Sequence, residues 1–232
     1  MSIRKHIPNA LTLCNLLCGC IGCMSALEGE PLVTFYCVIA SGVFDFLDGF
    51  CARLLKAYSE IGKELDSLAD LISFGLSPAL TLFVAYREGN HAFPPLAYSA
   101  LLIAAFSALR LAKFNLDERQ TKSFLGLPTP ACALLAVPLC AYAAQSEAAV
   151  HTLMASEWFV PALSIALSLL LVSEIPMLSL KGGSSALKMF FVGSILLVTV
   201  TAVFVECNVC LLCSVVFTFY ILLNIGLVRR GI

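Results

Sequence analysis

Charge is what this chain has least of. Asp, Glu, Lys and Arg make up 12% of its 232 residues, against about a quarter in an ordinary soluble domain. The net charge is −1, which predicts no nucleic-acid partner. Histidine is scarcer still. His6, His91 and His151 stand far apart, without the pair spacing of a zinc site, and no glycine-rich phosphate loop occurs. A cleavable leader is not expected: the first apolar segment lacks a small-residue cleavage site and carries Pro8-Asn9 in its first turn.

Apolar length takes the place of charge. Hydrophobic residues make up 60% of the chain, and uncharged stretches run 6–27, 31–44, 71–86, 89–109, 123–146, 158–173, 189–205 and 207–228. Several reach the roughly 20 residues that a spanning helix needs. The expected fold is all-α, a polytopic membrane helix bundle of about eight transmembrane helices. They are placed at 8–27, 32–55, 61–86, 93–114, 128–145, 158–179, 187–205 and 208–228, in one integral-membrane domain over 1–232. If both termini are cytoplasmic, every Lys and Arg except Arg87 lies inside, a positive-inside pattern that requires an even helix count. The 11 cysteines sit mostly within the apolar stretches, where they act as small hydrophobes rather than a disulfide framework. Cys207, Cys210 and Cys213 have the look of cluster ligands but lack an obvious fourth, so no iron–sulfur centre is expected.

Against this background the acids of residues 44–75 stand out. The stretch FDFLDGFCARLLKAYSEIGKELDSLADLISFG has the register D-x2-D-G-x2-A-R-x8-G-x3-D-x3-D. Asp45, Asp48, Gly49, Ala52 and Arg53 are offset by 3, 4, 7 and 8 and share one helix face. Gly62, Asp66 and Asp70 share a face of the next helix, with a polar turn over Lys56–Glu60 between. Four carboxylates and an arginine would then meet in one cleft. Clustered anions repel and are costly to bury, and ionisable groups in spanning helices mark function. Divalent cations would resolve the repulsion, and carboxylates with no nearby His or Cys suit hard Mg2+ or Mn2+. Glycine and alanine on that face leave room for a ligand, and Arg53 offers a forked donor to phosphate.

The register resembles the signature of the CDP-alcohol phosphotransferases at every fixed position. That family moves a phosphoalcohol from a CDP-linked lipid to an acceptor alcohol, with loss of CMP. The resemblance implies that Asp45, Asp48 and Asp66 hold metal, that Asp70 touches metal and acts as the catalytic base, and that Gly49, Ala52, Arg53 and Gly62 contact the CDP moiety. It also implies a homodimer.

The rest of the chain carries further candidates. Asn9, Thr12 and Asn15 put three polar side chains on one face of the first helix, either to bond neighbouring helices or to wall the nucleotide site. The PN-x-L-T-x2-N start also resembles several family members, and Asn9 and Thr12 are taken as nucleotide or diphosphate contacts. Ser73-Phe74-Gly75-Leu76-Ser77-Pro78 predicts a bend in which Ser73 and Ser77 recover backbone partners. Arg110 ends a long uncharged run and needs an acid or an anionic ligand. Asn115 follows it, the polar loop over 115–127 could serve as a lid, and Thr129 enters the fifth helix through Gly126-Leu127-Pro128. Glu174 and Lys181 lie near the end of the sixth helix.

SFGLSPA, RLAKFN and GLPTPA resemble the branch of the family that transfers the phosphatidyl group of CDP-diacylglycerol to L-serine. In RLAKFN, Lys113 stands where that branch often has Arg. Arg110, Asn115, Thr129 and Lys181 become the candidate acceptor contacts, in an integral enzyme of a prokaryotic inner membrane whose active site faces the cytoplasm. From the residues alone, two other readings stay open. One is the same chemistry with glycerol 3-phosphate or inositol phosphate as acceptor, which should demand more basic residues around the cleft. The other is a cation transporter using the four Asp as its ion path, although the internal repeat common in such folds is absent.

Overall fold

The computed structural model describes residues 6–89, 91–116, 124–145, 149–177 and 208–229. Helix α1 (His6–Leu27) starts on the early proline Pro8, a tolerated position because first-turn N–H groups have no helical acceptor. At Gly29 the chain reverses with φ +75, a backbone setting that glycine reaches without strain. Pro31 then opens α2 (Pro31–Leu54). The two helices form an antiparallel hairpin whose register shows in its cross-bonds. The Thr34 hydroxyl donates to the Gly22 carbonyl at 3.3 Å, and the Ser41 hydroxyl to the Asn15 carbonyl at 3.3 Å. Continued along the pair, this register brings Asn9 and Thr12 beside Asp48, Gly49 and Ala52.

A tight turn over 55–59 follows, with Lys56 at φ 51, and α3 (Glu60–Asp70) begins under a Ser59 cap. The Ser59 hydroxyl accepts the Gly62 N–H at 3.0 Å, and Glu60 in the first turn suits the positive end of the helix dipole. A π turn, Leu71–Leu76, leads into α4 (Ser77–Glu88), so one continuous helical segment spans Glu60–Glu88. The expected bend is thus an inserted π turn. The Ser73 hydroxyl reaches Asn15 on α1 instead of its own helix, and within the described residues the Ser77 hydroxyl has no hydrogen-bond partner. A 3₁₀ turn, Pro94–Ala100, enters α5 (Leu101–Leu116).

Beyond α5, strand β1 (Phe124–Leu125) precedes α6 (Thr129–Gln145), α7 (Ala149–Met154) and α8 (Phe159–Val172). Strand β2 (Pro176–Met177) pairs antiparallel with β1, and α9 (Val209–Arg229) packs on α6. The sixth expected span, 158–179, is shorter in the structure: its helix ends at Val172, because Ser173 turns extended to feed β2. Gly126, at φ +77, lies so close to this crossing that a Cβ would sit 2.5 Å from the Leu171 carbonyl. The seventh expected span, 187–205, falls outside the described residues.

Among the described residues, five helical segments are long and apolar enough to cross a membrane: His6–Leu27, Pro31–Leu54, Glu60–Glu88, Pro94–Leu116 and Val209–Gly226. Thr129–Gln145 and Phe159–Val172 are shorter apolar helices. Large apolar side chains face outward as well as filling the core, and polar ones are buried among them. Leu17 (61%), Met24 (62%) and Phe46 (65%) are exposed, while Asn15, Thr34 and Ser41 are wholly buried at 0%. Exposed apolar side chains together with buried hydroxyls and amides fit a bundle set in lipid. The protein is an integral, polytopic membrane helix bundle.

Candidate functional site

The α1–α2 hairpin and α3 converge around a cleft of about 590 Å³. Helical spacing carries Asp48, Gly49, Ala52 and Arg53 to its wall from α2, and Gly62 and Asp66 from α3. Asn9 and Thr12 close the α1 side. Tyr58, Ser59 and Lys63 line it as well. Sequence reasoning gave these three no ligand role, since only the fold of the 55–59 turn brings them to the opening.

At the inner edge the ligand oxygens of Asp45, Asp48 and Asp66 come within 4.8 Å of one another. This is a hard, all-oxygen donor set without thiol or imidazole, and it fits a divalent cation such as Mg2+ or Mn2+. One oxygen of Asp48 accepts the Thr12 hydroxyl at 2.6 Å, so α1 orients an acid of α2. The glycines differ in their reasons. A Cβ at Gly49 would meet only Arg53 Nη1, at 3.5 Å, so this face is open to a ligand. A Cβ at Gly62 would stand 2.9 Å from Ser59 Oγ and 3.0 Å from Asn9 Oδ1, so Gly62 makes room for the protein's own cap and for α1.

Asp70 lies one turn further along α3. It is outside the close triad but within electrostatic reach of Asp45, Asp66 and Asp48. Its Oδ1 accepts the Asn15 amide at 3.1 Å. The Asn15 Oδ1 in turn accepts the Ser73 hydroxyl at 2.7 Å.

The acceptor candidates separate. Arg110 on α5 is 8% exposed and interacts electrostatically with Asp70 and with Tyr220 of α9. Within the described residues its Nε has no hydrogen-bond partner. Thr129, at the start of α6, is 1% exposed, and its hydroxyl is likewise unmatched within that set. Asn115 bonds to α3: its amide donates to Ser67 Oγ at 2.9 Å, and its backbone carbonyl accepts Lys63 Nζ at 2.9 Å. Lys181 lies outside the described residues. Tyr220 was missed by sequence reasoning, because an aromatic in an apolar helix gives no local signal of a polar neighbour.

A family model described as CDP-alcohol phosphatidyltransferase matches residues 5–170. A CDP-diacylglycerol–serine O-phosphatidyltransferase of Mycobacterium bovis is 36% identical over 178 residues, covering 74% of this chain and 60% of the relative. Proteins of the same description are 36% identical over 128 residues in Bacillus subtilis, covering 54% of this chain and 70% of the relative, and 38% identical over 141 residues in Methanocaldococcus jannaschii, covering 60% and 63%. The chain therefore spans about 60% of the length of the mycobacterial relatives it matches.

Proposed function

The chain belongs to the CDP-alcohol phosphatidyltransferase family, and from that premise we propose that it transfers the phosphatidyl group of CDP-diacylglycerol to the hydroxyl of L-serine, giving phosphatidylserine and CMP. The observation that carries serine as acceptor is the buried Arg110 guanidinium beside Asp70, with its Nε unmatched within the described residues. A zwitterionic amino acid calls for one cation and a base at its hydroxyl, and this corner of the site supplies both. Acceptors that carry their own phosphate call for additional cations.

The mechanism follows from the side chains in place. Arg53 and the open face at Gly49 and Ala52 receive the CDP diphosphate, with the Arg53 fork matched to phosphate oxygens. Asp45, Asp48 and Asp66, with Asp70 at the edge, would hold divalent cations, whose charge offsets that of the diphosphate and of the departing CMP. Arg110 pairs with the serine carboxylate. Asp70 accepts the hydroxyl proton as the serine oxygen bonds to the lipid-side phosphorus, and the bond from that phosphorus to the CMP oxygen breaks. The site is read as opening to the cytoplasm of a prokaryotic cell, and the protein as a homodimer. A membrane-impermeant thiol reagent should then label Phe93→Cys but not Lys56→Cys in intact cells on a cysteine-depleted background; the opposite labelling reverses the orientation. Native mass spectrometry showing monomer alone would remove the dimer.

Arg110→Lys tests the acceptor assignment. It keeps the charge and loses the fork, at a cost of about 1–3 kcal/mol for a charge-assisted bond. The apparent serine KM should rise roughly 10- to 100-fold, with the lipid KM little changed. If Arg110 only ties the bundle together, the melting temperature in detergent falls instead and the serine KM stays where it was.

A further inference from the structure

The signature motif does not contain Asn15, yet three elements converge on it. It is wholly buried on α1. Its backbone carbonyl accepts the Ser41 hydroxyl from α2 at 3.3 Å and the Ser73 hydroxyl from the π turn at 3.1 Å. Its side chain bridges Ser73, at 2.7 Å, to Asp70, at 3.1 Å. The polarity of this bridge is fixed by chemistry. An ionised carboxylate only accepts, so the amide nitrogen must face Asp70 and the amide oxygen must face the hydroxyl donor, Ser73. Flipping the amide would set oxygen against oxygen at Asp70 and lose that bond.

The place of the clamp is equally determined. Ser73 lies in the π turn Leu71–Leu76, and π insertions recur at functional sites. It meets α1 at Gly19, where a Cβ would come within 2.9 Å of the Ser73 backbone nitrogen and Cα. Only glycine lets the two backbones approach so closely, and that approach sets the height of Asn15 against Asp70. An aspartate has a broad χ2, and three neighbouring acids would push an unheld carboxylate aside.

We propose that Asn15 is a positioning residue for Asp70: clamped by Ser73, its amide pins one carboxylate oxygen and so fixes the direction in which the other meets the acceptor hydroxyl. The inference rests on the reading of Asp70 as the acceptor's base. Asn15 touches neither the nucleotide nor the acceptor in this account, so its effect belongs in kcat.

The test is a set of substitutions in the full chain, purified in detergent and assayed for serine-dependent CMP release, alongside melting curves and CDP-diacylglycerol binding. Asn15→Leu, close in volume but without an amide, should lower kcat about 100-fold, the scale of a small misplacement of a reacting group. Both KM values and CDP-diacylglycerol binding should stay within about threefold. Ser73→Ala leaves the amide in place but unclamped and should cost less, about 10-fold in kcat. The double variant should be no slower than Asn15→Leu, because Ser73 acts through Asn15. Should Asn15→Leu not fold, Asn15→Gln, which displaces the amide by one methylene, should show the same loss of kcat at unchanged KM. The inference is overturned if the single effects multiply in the double variant, or if the Asn15 variants lose melting temperature while kcat per folded molecule is kept. Asp70→Asn separates the two claims. If it turns over normally, the base assignment fails. If it is inactive while the Asn15 variants have normal kcat, the positioning role alone fails.

Discussion

Asp45→Asn, Asp48→Asn and Asp66→Asn should each lower turnover by about a thousandfold or more, as expected when the cation that balances phosphoryl charge is lost, an effect worth several kcal/mol. Each substitution keeps the side-chain shape and removes the charge. At Asp48 the amide oxygen can still accept the Thr12 hydroxyl, now at 2.6 Å, so the α1–α2 contact survives. The stability result should run opposite to the activity result. Three carboxylates within 4.8 Å repel one another when no cation is bound. Without divalent metal, the variants should therefore melt at or above the parent temperature. With Mn2+ added, the parent should gain stability according to its occupancy, about 2.7 kcal/mol at a hundredfold excess over Kd, and the variants should gain much less. Melting curves with and without Mn2+, read beside CMP release, check both halves. Near-normal turnover in any two of the three variants removes the metal site.

Asp70→Asn should be nearly as damaging by a different route. An amide cannot take up the acceptor's proton, and the loss of a general base costs roughly 10²- to 10⁴-fold. Asp45, Asp48 and Asp66 remain to hold metal, so CDP-diacylglycerol should bind with nearly the parent affinity, and the defect should lie in kcat. Equilibrium binding of the lipid nucleotide, measured beside turnover, separates this from loss of the metal centre. A kcat within tenfold of the parent would take Asp70 out of the proton path.

The parts of the site that were legible in the sequence are those set by helix periodicity. Asp48, Gly49, Ala52 and Arg53 share a face by spacing alone, and that face lines the cleft. The polar face of α1 was also legible, but its partners were not. Thr12 and Asp48 are 36 residues apart and Asn15 and Asp70 are 55 apart, so no local pattern links them. The Ser73–Gly75 region reads as a bend, whereas its π turn packs against Gly19 across the bundle, a contact no local pattern shows. The β1–β2 pairing is two residues long on each side, too short for any periodic signal. Asn115 has the composition of a ligand, yet its amide is used by Ser67. The proposed acceptor contacts are the least legible because they are drawn from separate helices, one residue at a time.

The most direct test of the central claim is the fate of labelled serine. Purified protein would be given CDP-diacylglycerol, Mn2+ and labelled L-serine, with lipid product and CMP followed together. The account predicts labelled phosphatidylserine and CMP in equal amounts, neither forming when the metal is chelated, with glycerol 3-phosphate and inositol phosphate failing to replace serine. CMP release driven by one of those phosphorylated acceptors and not by serine would contradict it.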